Sequence, residues 1–177
     1  MPNAKQPSRT YKESSALTVV GLDPGLANLG LGAIRETGRE VTCLGSQLVR
    51  TTPAEAQAER LETLYNAVSD FFRVHQPDIL AVEGQYFHRQ REVAFKVGQA
   101  FGVCLLAAKQ QGIGVVEYGP MQVKQALVGS GRASKAQVSY MVRALLGLRE
   151  TPESHHVADA LALALTHLSA RQLQALR

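Results

Sequence analysis

Residues 17–22, Leu-Thr-Val-Val-Gly-Leu, form a β-rich apolar run that stops at Asp23-Pro24-Gly25. Proline and glycine interrupt a ladder, so a first strand ends at a carboxylate. Residues 28–35 and 40–49 read as two further strands, joined through Glu36-Thr37-Gly38-Arg39, where Gly38 supplies the positive φ of a tight hairpin. Thr52-Pro53-Ala54-Glu55 carries a capping residue, a proline at the first helical position and a glutamate three residues after the cap. Leu61, Leu64, Tyr65, Val68, Phe71 and Phe72 follow at helical spacing, which predicts an amphipathic helix ended by Pro77.

Ile79-Leu80-Ala81-Val82 is a short apolar run of the kind buried on both faces of a sheet, and it stops at Glu83-Gly84. A helix is expected over about 89–111, then a strand at Val115-Val116, then helices over about 120–127, 135–147 and 154–170. Ser134 and Gln137 form a capping box for the second of these three. Three meandering strands followed by helix, strand, helix, strand and terminal helices give an α/β fold. The order is that of a ribonuclease H-like mixed sheet with helices on both faces.

With 177 residues, 45% apolar and 19% charged, the chain has material for one domain with a real core. No apolar run approaches the roughly 20 residues that span a bilayer. Residues 1–15 hold Lys5, Arg9 and Lys12 against Glu13, without the apolar stretch of a secretory signal, and read as a flexible basic tail. The domain is expected over 16–172, with 173–177 as a C-terminal tail. Cys43 and Cys104 lie far apart with no metal-ligand spacing, so both are expected reduced and buried, in a cytoplasmic protein.

The formal net charge of +4 matters less than its distribution. Residues 51–84 carry six acids against two arginines, whereas 119–150 carry Lys124, Arg132, Lys135, Arg143 and Arg149 against Glu150 alone. A basic second half suits a polyanion, although solvated helix faces produce the same asymmetry.

Asp23 and Glu83 each follow an apolar strand, and Asp159 stands near the start of an otherwise apolar helix with His156 three residues before it. Strand ends are where an α/β sheet presents functional groups, and residues i and i+3 share a helix face. Asp159 is bracketed by Val157, Ala158, Ala160, Leu161, Ala162 and Leu163, so its carboxylate is costly unless a cation compensates it. No lysine or arginine lies within a turn of it, which favours a divalent metal. Oxygen-dominated ligation selects Mg²⁺ or Mn²⁺, and two such ions about 3.5–4 Å apart support in-line phosphodiester hydrolysis. His155, His75, His88 and His167 have no comparable context and read as structural or solvated.

Gly25 and Gly30 suit either close approach to a phosphate or tight packing of strands. Gly129-Ser130-Gly131-Arg132-Ala133-Ser134-Lys135 is basic but lacks P-loop spacing. Its amides, Arg132, Lys135 and the following helix start suit a DNA backbone instead. Gln85-Tyr86-Phe87-His88-Arg89-Gln90-Arg91 sets aromatics among basic groups, the composition of a wedge that stacks on unpaired bases. Gly98 and Gly102, four apart, suggest close helix packing.

These residues resemble the RuvC family, bacterial crossover junction endodeoxyribonucleases that resolve Holliday junctions. The resemblance rests on Gly21-Leu22-Asp23-Pro24-Gly25, Ala81-Val82-Glu83, Lys96-Val97-Gly98-Gln99-Ala100, Gln122-Val123-Lys124-Gln125, Val128-Gly129-Ser130-Gly131 and Ala158-Asp159-Ala160-Leu161-Ala162. It implies a homodimer on four-way junction DNA and Mg²⁺-dependent paired nicks, with two ions per subunit and Mn²⁺ able to substitute. The nicks leave 5′-phosphate and 3′-hydroxyl ends, and a RuvA–RuvB branch-migration complex is the implied partner. Carried over by position, Asp23, Glu83 and Asp159 match the family's acidic residues, Tyr86 a base-stacking aromatic, and Lys124 and Lys135 basic DNA contacts. Phe87, Arg89, Arg91 and Arg132 join the expected DNA-binding set. Where many members have a fourth aspartate, this chain has His156, a metal ligand or a proton relay.

Two other readings start from the same residues. An actin-like ATPase or sugar kinase also places an Asp-x-Gly after its first strand, but needs a second such loop and a second domain. A junction-binding module with a dead site is the non-enzymatic reading.

Overall fold

The computed structural model describes residues 16–84, 91–152 and 154–175. The expected tail 1–15, the wedge residues Tyr86, Phe87 and Arg89, and residues 176–177 lie outside them. Strands β1 (Leu17–Asp23), β2 (Asn28–Thr37) and β3 (Glu40–Arg50) form the antiparallel meander. Gly38 turns the β2–β3 hairpin at φ 64°. Helix α1 (Gln57–His75) leads to β4 (Ile79–Glu83), α2 (Arg91–Gln110) to β5 (Gly114–Tyr118), and α3 (Pro120–Val128), α4 (Lys135–Leu145) and α5 (His155–Ala175) follow. The sheet order is β3-β2-β1-β4-β5, with β4 parallel to both β1 and β5.

Period-two alternation divides the core. Val20 and Leu22 of β1 and Leu80 and Val82 of β4 enter the layer formed with α1 and α2. Val19 and Ala81 enter the opposite layer, with α3, α4 and α5. Both central strands are therefore apolar on both sides, as their continuous runs require. Among the described residues no helix is long and apolar enough to cross a membrane.

Two boundaries differ most from the sequence reading. Helix α1 begins at Gln57 rather than Pro53. The Thr52–Glu55 pair does interact, the Thr52 N–H donating to Glu55 Oε2 at 3.1 Å, but it closes a separate turn. The Glu59 carboxylate receives the Ala56 N–H at 3.1 Å and starts the helix there. Helix α5 continues to Ala175, past residue 172 where a tail was expected. Its far end is fastened by Arg171 and Gln172, which donate to the buried Glu36 carboxylate at 3.0 and 2.8 Å. Cys104 is buried, with its thiol pushed up to about 12 by desolvation, whereas Cys43 is only half-buried.

Candidate active site

Strand parity alone brings the first two carboxylates together. Residues 19, 21 and 23 of β1 and 79, 81 and 83 of β4 point to the α5 face. The last paired positions of these parallel strands are Leu22 and Val82, so Asp23 and Glu83 stand side by side one position past that ladder, each still paired with its other neighbouring strand. Both are final strand residues rather than residues beyond the strand.

Glycine sets the third side. A Cβ on Gly21 would lie 1.7 Å from the Ala160 carbonyl oxygen, and one on Gly30 would lie 2.1 Å from that of His156. Helix α5 thus rests directly on the backbone of β1 and β2, a contact that any side chain would prevent. This settles the role of Gly30, which serves helix packing, while Gly25 closes tightly on the Asn28 carbonyl. The seat places the first turn of α5 over Asp23, and His156 Nδ1 lies 2.7 Å from Asp23 Oδ2.

Asp23, Glu83, His156 and Asp159 line one cleft of about 500 Å³. Lys124 of α3 and Lys135 of α4 line it too, with Val97, Val123, Val138 and Leu163 as apolar wall. Lys135 Nζ stands 3.5 Å from Asp159 Oδ2, their side chains 77% and 35% exposed. Asp159 therefore has a cation across space that the local sequence did not reveal. At that distance and exposure it compensates only weakly.

Burial pushes the Asp23 carboxyl above its ordinary value, the His156 hydrogen bond opposes this, and the negative charge of Asp159 adds to it. A carboxylate so placed favours a cation. Among the described residues, no three His, Cys, Asp or Glu side chains gather closely enough to enclose an ion unaided. Hard Mg²⁺ suits an open site of this kind, since it keeps waters and takes one or two carboxylates together with substrate phosphate oxygens. The oxygen-rich donor set fits such an ion.

Other expected residues fall elsewhere. Arg132 lines a second groove between α3 and the later turns of α5. Its amide lies 3.4 Å from Ser130 Oγ, and the Ala133 amide donates to the Ser130 carbonyl, so both are spent within the loop. Ser134 caps α4 as the sequence implied, receiving the Gln137 N–H at 3.2 Å. Arg91 is the first residue of α2. His155, read as structural or solvated, lines the cleft with its ring 4.1 Å from that of His156. The adjacent histidine pair was the signal for it.

A mixed sheet of this order, with acids at the ends of β1 and β4 under a helix that adds Asp159, defines a ribonuclease H-like nuclease. Residues 19–167 match the family model of crossover junction endodeoxyribonuclease RuvC. RuvC of Thermus thermophilus is 46% identical over 154 residues, 85% of this chain and 93% of its own length. RuvC of Pelotomaculum thermopropionicum is 44% identical over 151 residues, 85% and 92% of the two chains. The structure of T. thermophilus RuvC in complex with Holliday junction substrate has a TM-score of 0.85 at 45% identity, covering 89% of this chain and 96% of that one. The chain belongs to the RuvC family, whose nucleases are metal-dependent. At 16% identity and a TM-score of 0.64, the yeast mitochondrial Holliday junction resolvase Ydc2 shares the fold.

Proposed function

We propose that this chain resolves Holliday junctions during recombination and repair, by paired symmetric nicks that leave 5′-phosphate and 3′-hydroxyl ends. The observation that carries the reading is the convergence of Asp23, Glu83, His156 and Asp159, from three separate elements, on one cleft flanked by Lys124 and Lys135. Asp23, Glu83 and Asp159 are the catalytic metal-holding residues, with Mg²⁺ as the ion, two per subunit, and Mn²⁺ as a substitute. His156 joins them through Nε2, because its Nδ1 is engaged by Asp23. A carboxylate on one ring nitrogen fixes the direction of the other. When bound, such ions polarise the scissile phosphate and supply a nucleophile from water at neutral pH. Each nick consumes one water: the bond from phosphorus to O3′ breaks, oxygen from water joins phosphorus, and the departing O3′ takes a proton.

Lys124 and Lys135, at the rim beside the acids, bind phosphates and hold the strand in line, while Arg132 in its separate groove meets a more distant backbone segment. Lys124→Ala should weaken junction binding and reduce the slope of log affinity against log salt by about 1. An unchanged slope in a filter-binding salt titration removes Lys124 from the phosphate contacts. Tyr86, Phe87, Arg89 and Arg91 remain the proposed base-stacking and strand-holding group, supported by their composition and by family membership.

Two coordinated nicks call for two sites. Gly98 and Gly102 are exposed on α2, and a Cβ on either meets nothing within 4 Å in the chain. Phe95 and Leu106 on the same stripe are 67% and 50% exposed, a face suited to a homodimer. Gly102→Glu should give a folded monomer by light scattering, with parental helicity per residue. A variant that stays dimeric moves the interface elsewhere. A RuvA–RuvB partner rests on family membership, and a cytoplasmic location suits a DNA-acting enzyme with free cysteines.

Labelled four-way junctions with Mg²⁺ decide the function. Symmetric nicks in opposing strands are expected, whereas binding without cleavage would leave only a junction-binding module.

A further inference from the structure

Tyr118 is the last residue of β5, only 8% exposed, and three elements that carry site residues meet at it. It pairs with Glu83 in the β4–β5 ladder, and its carbonyl receives the Gly84 N–H at 2.9 Å. Gly119, the next residue, starts α3, its N–H donating to Gln122 Oε1 at 2.7 Å, and α3 presents Lys124 to the cleft. The Tyr118 hydroxyl crosses to α5, lying 2.8 Å from His167 Nδ1.

His167 follows His156 by 11 residues on α5, close to three whole turns, so the two imidazoles share a stripe of the helix. Turning α5 about its axis at His167 therefore turns His156 and Asp159 against Glu83. The glycine seat holds α5 close to the sheet but supplies no directional bond. Polar contacts add direction to the apolar packing of α5: the Arg171–Glu36 pair is one, and Tyr118–His167 is another, linking the helix to the strand beside β4 and to the start of α3. Burial raises the Tyr118 phenol and lowers the His167 imidazole. Both are neutral at neutral pH, so a phenol and a neutral imidazole share this hydrogen bond, its direction set by the imidazole tautomer.

We propose that Tyr118 and His167 are positioning residues of the nuclease site: their hydrogen bond fixes the angle of α5, and so the spacing of Asp159 and His156 from Glu83 and Lys124. The inference rests on the metal-dependent resolvase reading above.

The test uses the full chain and three variants. Tyr118→Phe removes only the hydroxyl, His167→Leu removes the imidazole partner, and His167→Asn returns a polar group near the place of Nδ1. Mn²⁺ affinity without DNA is read by electron paramagnetic resonance, junction affinity by titration in Ca²⁺, and chemistry by single-turnover nicking. Loss of this part-buried hydrogen bond should raise the Mn²⁺ dissociation constant about 5- to 10-fold in Tyr118→Phe and His167→Leu, and slow nicking comparably. Junction affinity should change less than about 2-fold, His167→Asn should recover most of the loss, and the losses should not add in the double variant.

Variants that melt lower yet bind Mn²⁺ and nick as the parent does would reduce the pair to ordinary core packing and overturn the proposal. If Tyr118→Phe does not fold, the contrast between His167→Asn and His167→Leu decides in the same way. A parent that binds Mn²⁺ but never nicks junctions overturns the resolvase reading instead, and the Mn²⁺ titration still judges the pair.

Discussion

Asp23→Asn should bind four-way junctions with parental affinity and nick them at least about 1,000-fold more slowly, since a bound ion at such a carboxylate is worth several kcal/mol in the transition state. The substitution is nearly isosteric, and the amide keeps a partner for His156 Nδ1. The same variant should also melt higher than the parent without metal. The raised pKa of Asp23 means that its ionised form is disfavoured in the fold. That penalty is complete above the raised value and is relieved as pH falls through it towards the ordinary 3.8. Metal-free parent should therefore gain stability from this site on mild acidification, and Asp23→Asn should lack that gain. Adding Mn²⁺ should stabilise the parent and not the variant. Calorimetry at several pH values checks the stability, and gel assays check the cleavage. Parental nicking by Asp23→Asn would remove Asp23 from the chemistry.

Gly30→Ala should be more damaging than any single methyl on the surface. Its Cβ would sit 2.1 Å from the His156 carbonyl oxygen and 2.9 Å from the Val157 nitrogen. Neither backbone atom can turn aside as a flexible side chain would, so the first turn of α5 must retreat by on the order of an ångström. The overpacking should cost about 3 kcal/mol, lowering the melting temperature by about 6–12 °C. Nicking should fall about 100-fold, because His156 and Asp159 move away from Asp23 and Glu83. Denaturation curves and single-turnover rates report the two effects. A Gly30→Ala protein with parental stability would mean that α5 does not rest on β2 as described.

The strands were legible because each central one is an apolar run closed by a charged residue and then a residue that favours a turn, Pro24 after Asp23 and Gly84 after Glu83. The same stops showed where acids would stand. That Asp23 and Glu83 share a face also follows from parity, once the strands are known to be parallel neighbours. The seat of α5 was not legible. Gly21 and Gly30 look alike whether they admit a helix, a phosphate or a turn, and only the backbone contacts with Ala160 and His156 decide. Lys135 and Asp159 are 24 residues apart and meet only because α4 and α5 cross, so a search within one helical turn found no cation. The start of α1 was misplaced because a Thr-x-x-Glu pair closes a lone turn as readily as it caps a helix.

Anomalous diffraction from crystals soaked in Mn²⁺ tests most directly whether these acids form a metal centre. Peaks are expected in the cleft between Asp23, Glu83 and Asp159, with carboxylate oxygens about 2.0–2.4 Å from them. An empty cleft at saturating Mn²⁺, its three carboxylates turned away from one another, would contradict the account.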